Sequence, residues 1–252
     1  MARRSAPLLL SLLALSWMAH AHGAGTMPAD FVYLRDVDSS IEQDIRYAGP
    51  GNFTGRPVPG YDAAECVLVR QAAEALRQVQ AALKPKGLSL RVYDCYRPAR
   101  AVSAFVAWVG APDDPKSKAV YYPNLAKDGL IPDYIASRSG HSRGATVDLT
   151  LVPLADGEGS AGSGESQACT ASQGDAAPDG SLAMGTTFDC FDTKANLGAP
   201  GLSEREARNR EILRATMLTQ GFKDYSPEWW HFTLRNEPHP DKYFDFPIVA
   251  RR

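Results

Sequence analysis

The stretch that decides the fold is SGHSRGATVDLTL, residues 139–151, where a glycine-containing turn runs directly into alternating apolar and polar residues. The alternation over residues 146–151 predicts a β-strand with one apolar face and one polar face. His141 lies in the turn and Asp148 on the polar face of the strand. The sequence therefore predicts that two metal-binding residue types come together at the beginning of one strand.

A second informative stretch is EWWHFTL, residues 228–234, whose aromatic and β-branched residues predict a short strand. The remaining pattern predicts a helix over 67–85, a half-buried strand over 88–94, a helix beginning near Pro98 and ending before Gly110, and a helix opened by a capping box at 203–206 and ending near Gln220. Residues 111–140 read mostly as loop. Helices and strands mix without βαβ regularity, which predicts an α+β fold with a central antiparallel sheet and flanking helices.

Composition places the chain among ordinary globular proteins. It has 252 residues, of which 44% are hydrophobic and 22% charged, so one domain over 22–252 is expected. Lys and Arg number 27 against 29 Asp and Glu, which argues against a basic nucleic-acid-binding protein. Residues 155–183 are rich in Gly, Ser, Ala and Asp, and we expect a mobile surface segment there.

The N-terminal residues resemble a secretory signal peptide, which we assign to residues 1–21. Two arginines precede the apolar run of residues 8–17, and Ala-His-Ala follows at 19–21 as a cleavage site. The run is too short for a transmembrane helix, and no cysteine near the cleavage site suggests a lipid anchor. We expect an exported protein without a membrane anchor, most simply periplasmic and otherwise secreted; a disordered cytoplasmic N-terminus is the alternative.

Export would permit disulfide bonds. Cys66 begins the first predicted helix and Cys95 follows the next strand, while Cys169 and Cys190 flank much of the low-complexity segment. We predict the pairs Cys66–Cys95 and Cys169–Cys190; four buried free thiols are the alternative. A zinc finger is not indicated, because the sequence contains no Cys-x-x-Cys.

His141, Asp148 and His231 could supply the three protein ligands that a catalytic zinc ion requires. Glu228 lies three residues before His231 and is then available as a general base on the metal-bound water. Spacing alone leaves ordinary structural roles open for each residue, and His239, between two prolines, is assigned to a surface turn.

Arg97 follows the strand over 88–94, where a permanently charged guanidinium could stabilise an oxyanion or bind a substrate carboxylate. A structural salt bridge with Asp94 is the alternative that the residues alone favour.

These motifs together resemble the D-alanyl-D-alanine dipeptidases, which belong to a wider group with D-Ala-D-Ala carboxypeptidases, lysostaphin-type peptidases and hedgehog domains. The resemblance rests first on Ser-x-His-x-x-Gly-x-x-x-Asp at 139–148 and Glu-Trp-Trp-His at 228–231. Further segments match in the same order, so that the resemblance covers about residues 31–248: NFTG at 52–55, DCYRP at 94–98, YYPN at 121–124, MGTTFD at 184–189 and YFDFP at 243–247.

The resemblance implies a hedgehog-type peptidase fold and a role for each site residue. One zinc ion per chain would be bound by His141, Asp148 and His231, with Glu228 as the base and Arg97 stabilising the oxyanion. Substrate-binding positions would be Asp189, paired with the free amino group of a dipeptide, together with Tyr47 and Ser139. The implied reaction is hydrolysis of D-Ala-D-Ala to two D-Ala.

Two other functions stay open at this point. A carboxypeptidase could use the same centre to trim longer muropeptides, and a non-catalytic zinc domain could bind cell-wall material. The long segment before Asp189 departs from compact members of the family and leaves the length of the substrate open, and Cys95 stands where some members have Gly. The sequence does not indicate an oligomeric state.

Overall fold

The computed structural model describes residues 25–154 and 167–251. The predicted signal peptide at 1–21 and residues 155–166 of the low-complexity segment lie outside the described residues. The strands are β1 (Phe31–Tyr33), β2 (Glu42–Gln43), β3 (Val67–Val69), β4 (Leu88–Asp94), β5 (Thr146–Pro153), β6 (Phe222–Tyr225) and β7 (Glu228–Leu234). The α-helices are α1 (Leu34–Val37), α2 (Arg70–Leu83), α3 (Ala99–Val109), α4 (Pro115–Tyr121) and α5 (Glu204–Thr219).

The central sheet has five strands in the order β2-β4-β5-β7-β6. All neighbouring pairs are antiparallel except β2 with β4, which pair in parallel at one edge. A separate pair of strands, β1 with β3, is also antiparallel. The predicted α+β fold with a central antiparallel sheet is confirmed. The parallel edge strand β2 was not predicted, because a strand of two residues leaves no recognisable pattern in the sequence.

Strand β4 is not half-buried as its alternating pattern predicted. Every residue from Ser89 to Asp94 is buried, including the charged Arg91. Gln80 of α2 donates to Ser89 Oγ at 2.8 Å and accepts from the Leu90 backbone N–H at 2.9 Å. Arg91 lies on the same face of the strand as Ser89 and is covered by the segment before Asp189, since its Nη1 donates to the Asp179 carbonyl. The polar face of the sheet is therefore covered at β4, and at β5 and β7 it lines a cavity.

Helix α2 begins at Arg70, three residues later than the apolar spacing predicted. Val67–Val69 pairs with β1 instead, since a run of β-branched and buried residues suits a strand at least as well as a helix. The capping box of α5 is confirmed, because Ser203 Oγ accepts from the Glu206 backbone N–H while the Glu206 carboxylate accepts from the Ser203 backbone N–H. Helix α4 lies within residues 111–140, which we had predicted as mostly loop.

Both predicted disulfide bonds, Cys66–Cys95 and Cys169–Cys190, are present. Cys66 directly precedes β3 rather than opening a helix, so the first bond joins β3 to the end of β4. The second bond joins the beginning of the described segment 167–183 to the residue after Asp189. This segment packs against the sheet instead of extending away from it, as the Leu182 backbone N–H donates to the Leu151 carbonyl at 2.9 Å.

The turn between Ser139 and β5 rests on distant parts of the chain. Gly144 has φ of +81°, and a Cβ added there would lie 2.2 Å from the Phe31 ring, so this position requires glycine. The Val69 backbone N–H donates to the Gly144 carbonyl, and the Phe244 N–H donates to the Ser142 carbonyl, both at 2.8 Å. Within the described ranges, no helix is both long and apolar enough to span a bilayer.

Candidate metal centre and active site

The register of β5 with β7 brings the first two candidate ligands together. Asp148 on β5 lies directly opposite His231 on β7. His141 comes from the single-turn helix Gly140–Arg143, which precedes β5 and returns its side chain towards the same strand. Three residues that are far apart in sequence thus converge because two adjacent strands are paired in this register.

The three candidate ligand residues form a compact triangle, in which Asp148 faces each histidine with a different carboxylate oxygen. His141 Nε2 lies 3.3 Å from Asp148 Oδ2 and 3.3 Å from His231 Nδ1, and His231 Nδ1 lies 3.1 Å from Asp148 Oδ1. Ligands about 2.0–2.2 Å from a tetrahedral zinc ion stand about 3.3–3.6 Å from one another. Asp148 Oδ1 is also buried and accepts no hydrogen bond of good geometry within the described residues. The donor set therefore fits a zinc ion.

Each histidine is in a form suited to binding a cation. His141 Nδ1 lies 2.7 Å from the Cys95 carbonyl oxygen, which can only accept a hydrogen bond, so Nδ1 carries the proton. The lone pair of Nε2 is then available to bind a metal ion. Burial lowers the pKa of His231, and this outweighs the opposite effect of Asp148. Burial by itself would raise the pKa of Asp148, but the His141 and His231 rings bring it below its ordinary value. A neutral His231 imidazole and an ionised Asp148 carboxylate are the forms that bind a metal ion.

Glu228, the first residue of β7, lies beside this triangle. Its Oε2 atom is 3.4 Å from His231 Nδ1, and the side chain is 10% exposed. Burial raises the pKa of Glu228 well above its usual value, and the nearby Asp148 and Asp189 carboxylates raise it further. A bound divalent cation would act in the opposite direction. Glu228 is thus close to the centre and able to exchange a proton.

Arg97 makes the structural salt bridge that was the alternative prediction, and its guanidinium also lies beside a candidate metal ligand. Its Nε donates to Asp94 Oδ2 at 2.9 Å, which is the structural salt bridge, and Nη2 lies 3.6 Å from Asp148 Oδ2. The guanidinium also lies over the rings of Tyr47 and Phe105, at 5.2 and 5.0 Å from their centroids. The ion pair with Asp94 therefore holds a cation next to the metal ligands.

Asp189 and Tyr47 form a buried pair. The Tyr47 hydroxyl lies 3.0 Å from both carboxylate oxygens of Asp189, and the backbone of Asp189 has φ of +57°, in the left-handed region. Burial raises the pKa of Tyr47 well above 10, and burial followed by repulsion from Asp148 raises the pKa of Asp189. A cation bound at Asp189 would lower the pKa of that carboxyl group and so offset the effects of burial and of Asp148 on it.

All eight predicted metal, catalytic and substrate residues line one cavity of about 300 Å³. Ser139 accepts a hydrogen bond from the His141 backbone N–H at 3.2 Å and so also begins the turn that carries this ligand. His239 is not part of the cavity; it pairs with Asp30 at 2.6 Å and is partly buried. The lining set consists of Tyr47, Arg97, Ser139, His141, Asp148, Asp189, Glu228 and His231.

Two features around the candidate ligands were missed from the sequence. The Tyr225 hydroxyl donates to the Asp133 carbonyl at 2.7 Å, which joins two walls of the cavity, and the Tyr225 ring lies 5.2 Å from that of His231. Asp94, which we had considered only as a salt-bridge partner, also lies 3.4 Å from His141 Nδ1. The position of Asp94, an acidic residue at the end of a strand and three residues before Arg97, could have indicated its place near the site. The sequence around Tyr225 carries no such signal.

Comparison with known proteins identifies the family of the chain. A family model described as D-ala-D-ala dipeptidase matches residues 27–249. The chain belongs to the D-Ala-D-Ala dipeptidase family. Membership in this family makes it a zinc metallopeptidase.

Several members of the D-Ala-D-Ala dipeptidase family resemble the chain over most of its length. A D-alanyl-D-alanine dipeptidase of Streptomyces coelicolor is 41% identical over 88% of this chain and 100% of its own. Proteins of the same name from Enterococcus faecium and Escherichia coli are 38% and 30% identical, over 88% and 81% of this chain and 100% and 84% of theirs. The likeness thus extends across the whole described domain.

Proposed function

We propose that the protein is an exported zinc dipeptidase that hydrolyses D-Ala-D-Ala to two molecules of D-Ala. The observation that carries the proposal is the joint placement of the His141, Asp148 and His231 triangle and the Asp189–Tyr47 pair in one cavity. The first could activate a peptide bond, and the second could bind the amino group at the start of a very short substrate. The names of the family members support the same substrate.

One zinc ion per chain would be bound by His141 Nε2, His231 Nδ1 and an Asp148 oxygen. When bound, zinc supplies a Lewis acid that polarises the scissile carbonyl group and lowers the pKa of a water molecule. The protein residues around it fix its ligands and charge. Asp148 is held by both histidines, and His141 is oriented by the Cys95 carbonyl group.

Glu228 acts as the proton carrier. Its carboxylate is 3.4 Å from His231 Nδ1, near enough to the centre to accept a proton from the attacking water and to pass it to the leaving amine. Arg97 supplies a fixed positive charge for the oxyanion, since Asp94 orients the guanidinium from the side away from the cavity. Loss of the metal ligands would abolish binding of zinc, whereas loss of Glu228 would abolish only the proton transfer.

Asp189 selects the free amino group of the substrate. A carboxylate in a buried site binds an ammonium group strongly. A substrate with a blocked amine carries no such charge, so the buried carboxylate would be left without a partner. The Tyr225–Asp133 contact narrows the cavity on another side. Together these features favour a dipeptide over a longer muropeptide.

The cellular setting follows from the N-terminal pattern. A signal peptide at 1–21 would direct the chain to the periplasm, and two disulfide bonds are consistent with an oxidising compartment. An exported enzyme would act on wall fragments outside the cytoplasm, because it does not meet the cytoplasmic precursor pool. Salvage of D-Ala from those fragments is the role that we propose.

The test is D-alanine release by the purified mature protein from D-Ala-D-Ala and N-acetyl-D-Ala-D-Ala, measured side by side. Release from the free dipeptide alone is expected, because the acetyl group removes the charge that Asp189 would bind. Release from both, or from the blocked compound alone, would make the protein a carboxypeptidase with an open site. No release from either by zinc-loaded protein would contradict a dipeptidase and favour a non-catalytic, wall-binding domain.

A further inference from the structure

The described part of the low-complexity segment makes one concentrated set of polar contacts with the sheet, at Asp179. The Tyr93 hydroxyl donates to Asp179 Oδ2 at 2.5 Å, and Arg46 Nη2 lies 3.0 Å from the same oxygen. The backbone is held too, because Arg91 Nη1 donates to the Asp179 carbonyl at 2.7 Å and the Ser181 N–H donates to Asp179 Oδ1 at 3.0 Å. Asp179 is thus a mostly buried anchor, with its side chain 14% exposed.

Two of the three side chains from outside the segment that contact Asp179, those of Arg46 and Tyr93, are next to a residue that supports Asp189. Arg46 immediately precedes Tyr47, whose hydroxyl lies 3.0 Å from both Asp189 oxygens. Tyr93 stacks on Phe188, with ring centroids 4.6 Å apart and planes 16° apart, and Phe188 immediately precedes Asp189. Two short paths therefore lead from Asp179 to Asp189. One passes through Arg46 and Tyr47 to the carboxylate, and the other passes through Tyr93 and Phe188 to the backbone.

Asp189 depends on its surroundings for its position. Asp189 is a non-glycine residue in the left-handed region, a strained conformation that persists where neighbouring contacts fix it. On its C-terminal side, the Cys169–Cys190 disulfide bond fixes the next residue. On its N-terminal side, the stacking of Phe188 on Tyr93 fixes the preceding residue, and Asp179 orients Tyr93 through its hydroxyl group.

We propose that Asp179 is a positioning residue that sets the affinity of the site for the amino group of the substrate. It touches neither the metal ligands nor the cavity, and it acts by holding Tyr93 and Arg46 so that Phe188 and Tyr47 place the Asp189 carboxylate. This proposal rests on the proposed function, in which Asp189 binds the free amino group. It gives the extended segment before Asp189 a part in substrate specificity.

The fold does not depend on Asp179 alone, which makes the effect separable from stability. Arg46 also pairs with Asp44 at 2.7 Å, so the guanidinium keeps an acidic partner when Asp179 loses its charge. Tyr93 is fully buried and keeps its ring contacts. Asp179→Asn preserves the shape of the side chain and the backbone contacts while removing the charge that both partners share.

We expect Asp179→Asn to raise KM for D-Ala-D-Ala by about tenfold with kcat nearly unchanged, since a misplaced amine partner weakens binding of substrate and transition state alike. The matched control is Asp175→Asn, which removes another acidic group of the same segment that pairs with an exposed arginine, Arg205. The control should match the wild type in KM, kcat and zinc content. Thermal unfolding of both variants is recorded in parallel.

A second pair of variants tests the path itself. Tyr93→Phe removes the hydroxyl and keeps the stacked ring, so it should raise KM in the same way, and the double variant with Asp179→Asn should be no worse than the stronger single variant. Additive effects on KM in the double variant would overturn the path through Tyr93. A lowered melting temperature with wild-type KM would show a purely structural role and overturn the proposal.

Asp189→Asn separates this proposal from the function on which it rests. If Asp189→Asn raises KM strongly while Asp179→Asn does not, the amine-binding role stands and the positioning role of Asp179 is wrong. If Asp189→Asn leaves KM unchanged, the amine-binding role fails and the positioning proposal fails with it. A rise in KM in both variants, with kcat preserved in Asp179→Asn, is the expected result.

Discussion

At the scale of single residues, the centre is made by one side chain on each of two paired strands and one on a turn. The pairing of Asp148 with His231 leaves less than 3.5 Å between their polar atoms. Because side chains alternate along a strand, a shift of the register by one residue would send His231 to the opposite face. The site is therefore as well defined as the sheet that carries it.

Glu228→Gln tests the role of the base. The amide has the size of the carboxylate but cannot accept a proton at neutral pH, so turnover of D-Ala-D-Ala should fall by about a thousandfold. The zinc content by elemental analysis should stay near that of the wild type, because the three ligands are unchanged. Activity within tenfold of the wild type would show that another group transfers the proton.

His231→Ala is the complementary variant. It removes one corner of the ligand triangle and should therefore lose both zinc and turnover, whereas Glu228→Gln loses only turnover.

Residue types and spacing predicted most of this centre, although they could not exclude structural roles. Glu228 and His231 belong to an aromatic strand, and Asp148 lies on the polar face of the strand that follows the His141 turn, which is a visible signal. Tyr225 gave none, since a tyrosine at the end of a strand is common and its contact with Asp133 spans 92 residues. Such contacts depend on how loops meet in space.

At the scale of elements, the end of β4 connects the disulfide framework to the metal site. Cys95 is bonded to Cys66, and its carbonyl oxygen is 2.7 Å from His141 Nδ1. The next residues supply Arg97, which is held by Asp94 at the end of the same strand. A change in the path of the chain at Cys95 would therefore move a candidate ligand, His141, and the proposed oxyanion partner, Arg97, together.

Replacing Cys66 and Cys95 together by serine should weaken zinc binding by about tenfold, as loss of an orienting contact to a ligand usually does. Unfolding should also become easier, by about 3 kcal/mol in the chain-entropy model. Zinc affinity from a competition titration and the midpoint of urea unfolding measure the two effects.

The double serine variant of Cys169 and Cys190 is the matched control. Its cysteines are 21 residues apart against 29 for the first pair, so the loss of stability should be similar. Zinc affinity should be unchanged, because neither cysteine touches a ligand. Equal losses of zinc affinity in the two variants would contradict the special role of Cys95.

The elements that were missed are short or ambiguous. Strand β2 has two residues, and helix α4 has seven within a loop-like sequence that is rich in Asp, Pro and Lys. The start of α2 was placed too early because apolar residues at 67–69 fit a strand and a helix equally well. Long elements with clear ends, such as β4 and α5, were predicted closely.

At the scale of the whole molecule, several acidic groups are buried around one point. Asp94, Asp148, Asp189 and Glu228 are all buried, and mutual repulsion contributes to the raised pKa values of three of them. Arg97 is the cation in contact with two of these groups. A divalent ion would balance much of the remaining charge.

Removal of zinc by a chelator should therefore abolish turnover and lower the melting temperature together. A ligand that binds only the folded state stabilises it by about 4 kcal/mol at a thousandfold excess over Kd. Added zinc should restore both properties, while magnesium, which prefers an octahedral set of oxygen ligands, should not. Turnover that persists in protein shown to be metal-free would contradict the metallopeptidase mechanism.

The support beneath the His141 turn has a consequence for the order of events during synthesis. The turn is made about a hundred residues before Phe244, whose backbone N–H binds the Ser142 carbonyl. Phe246 stacks on Tyr96, with ring centroids 4.1 Å apart, and the Ile248 N–H binds the Gly60 carbonyl. A growing chain thus carries the His141 turn about a hundred residues before its support, whereas the last candidate ligand, His231, precedes Phe244 by only 13 residues. We expect the nascent polypeptide to lack a working centre until translation has passed residue 248.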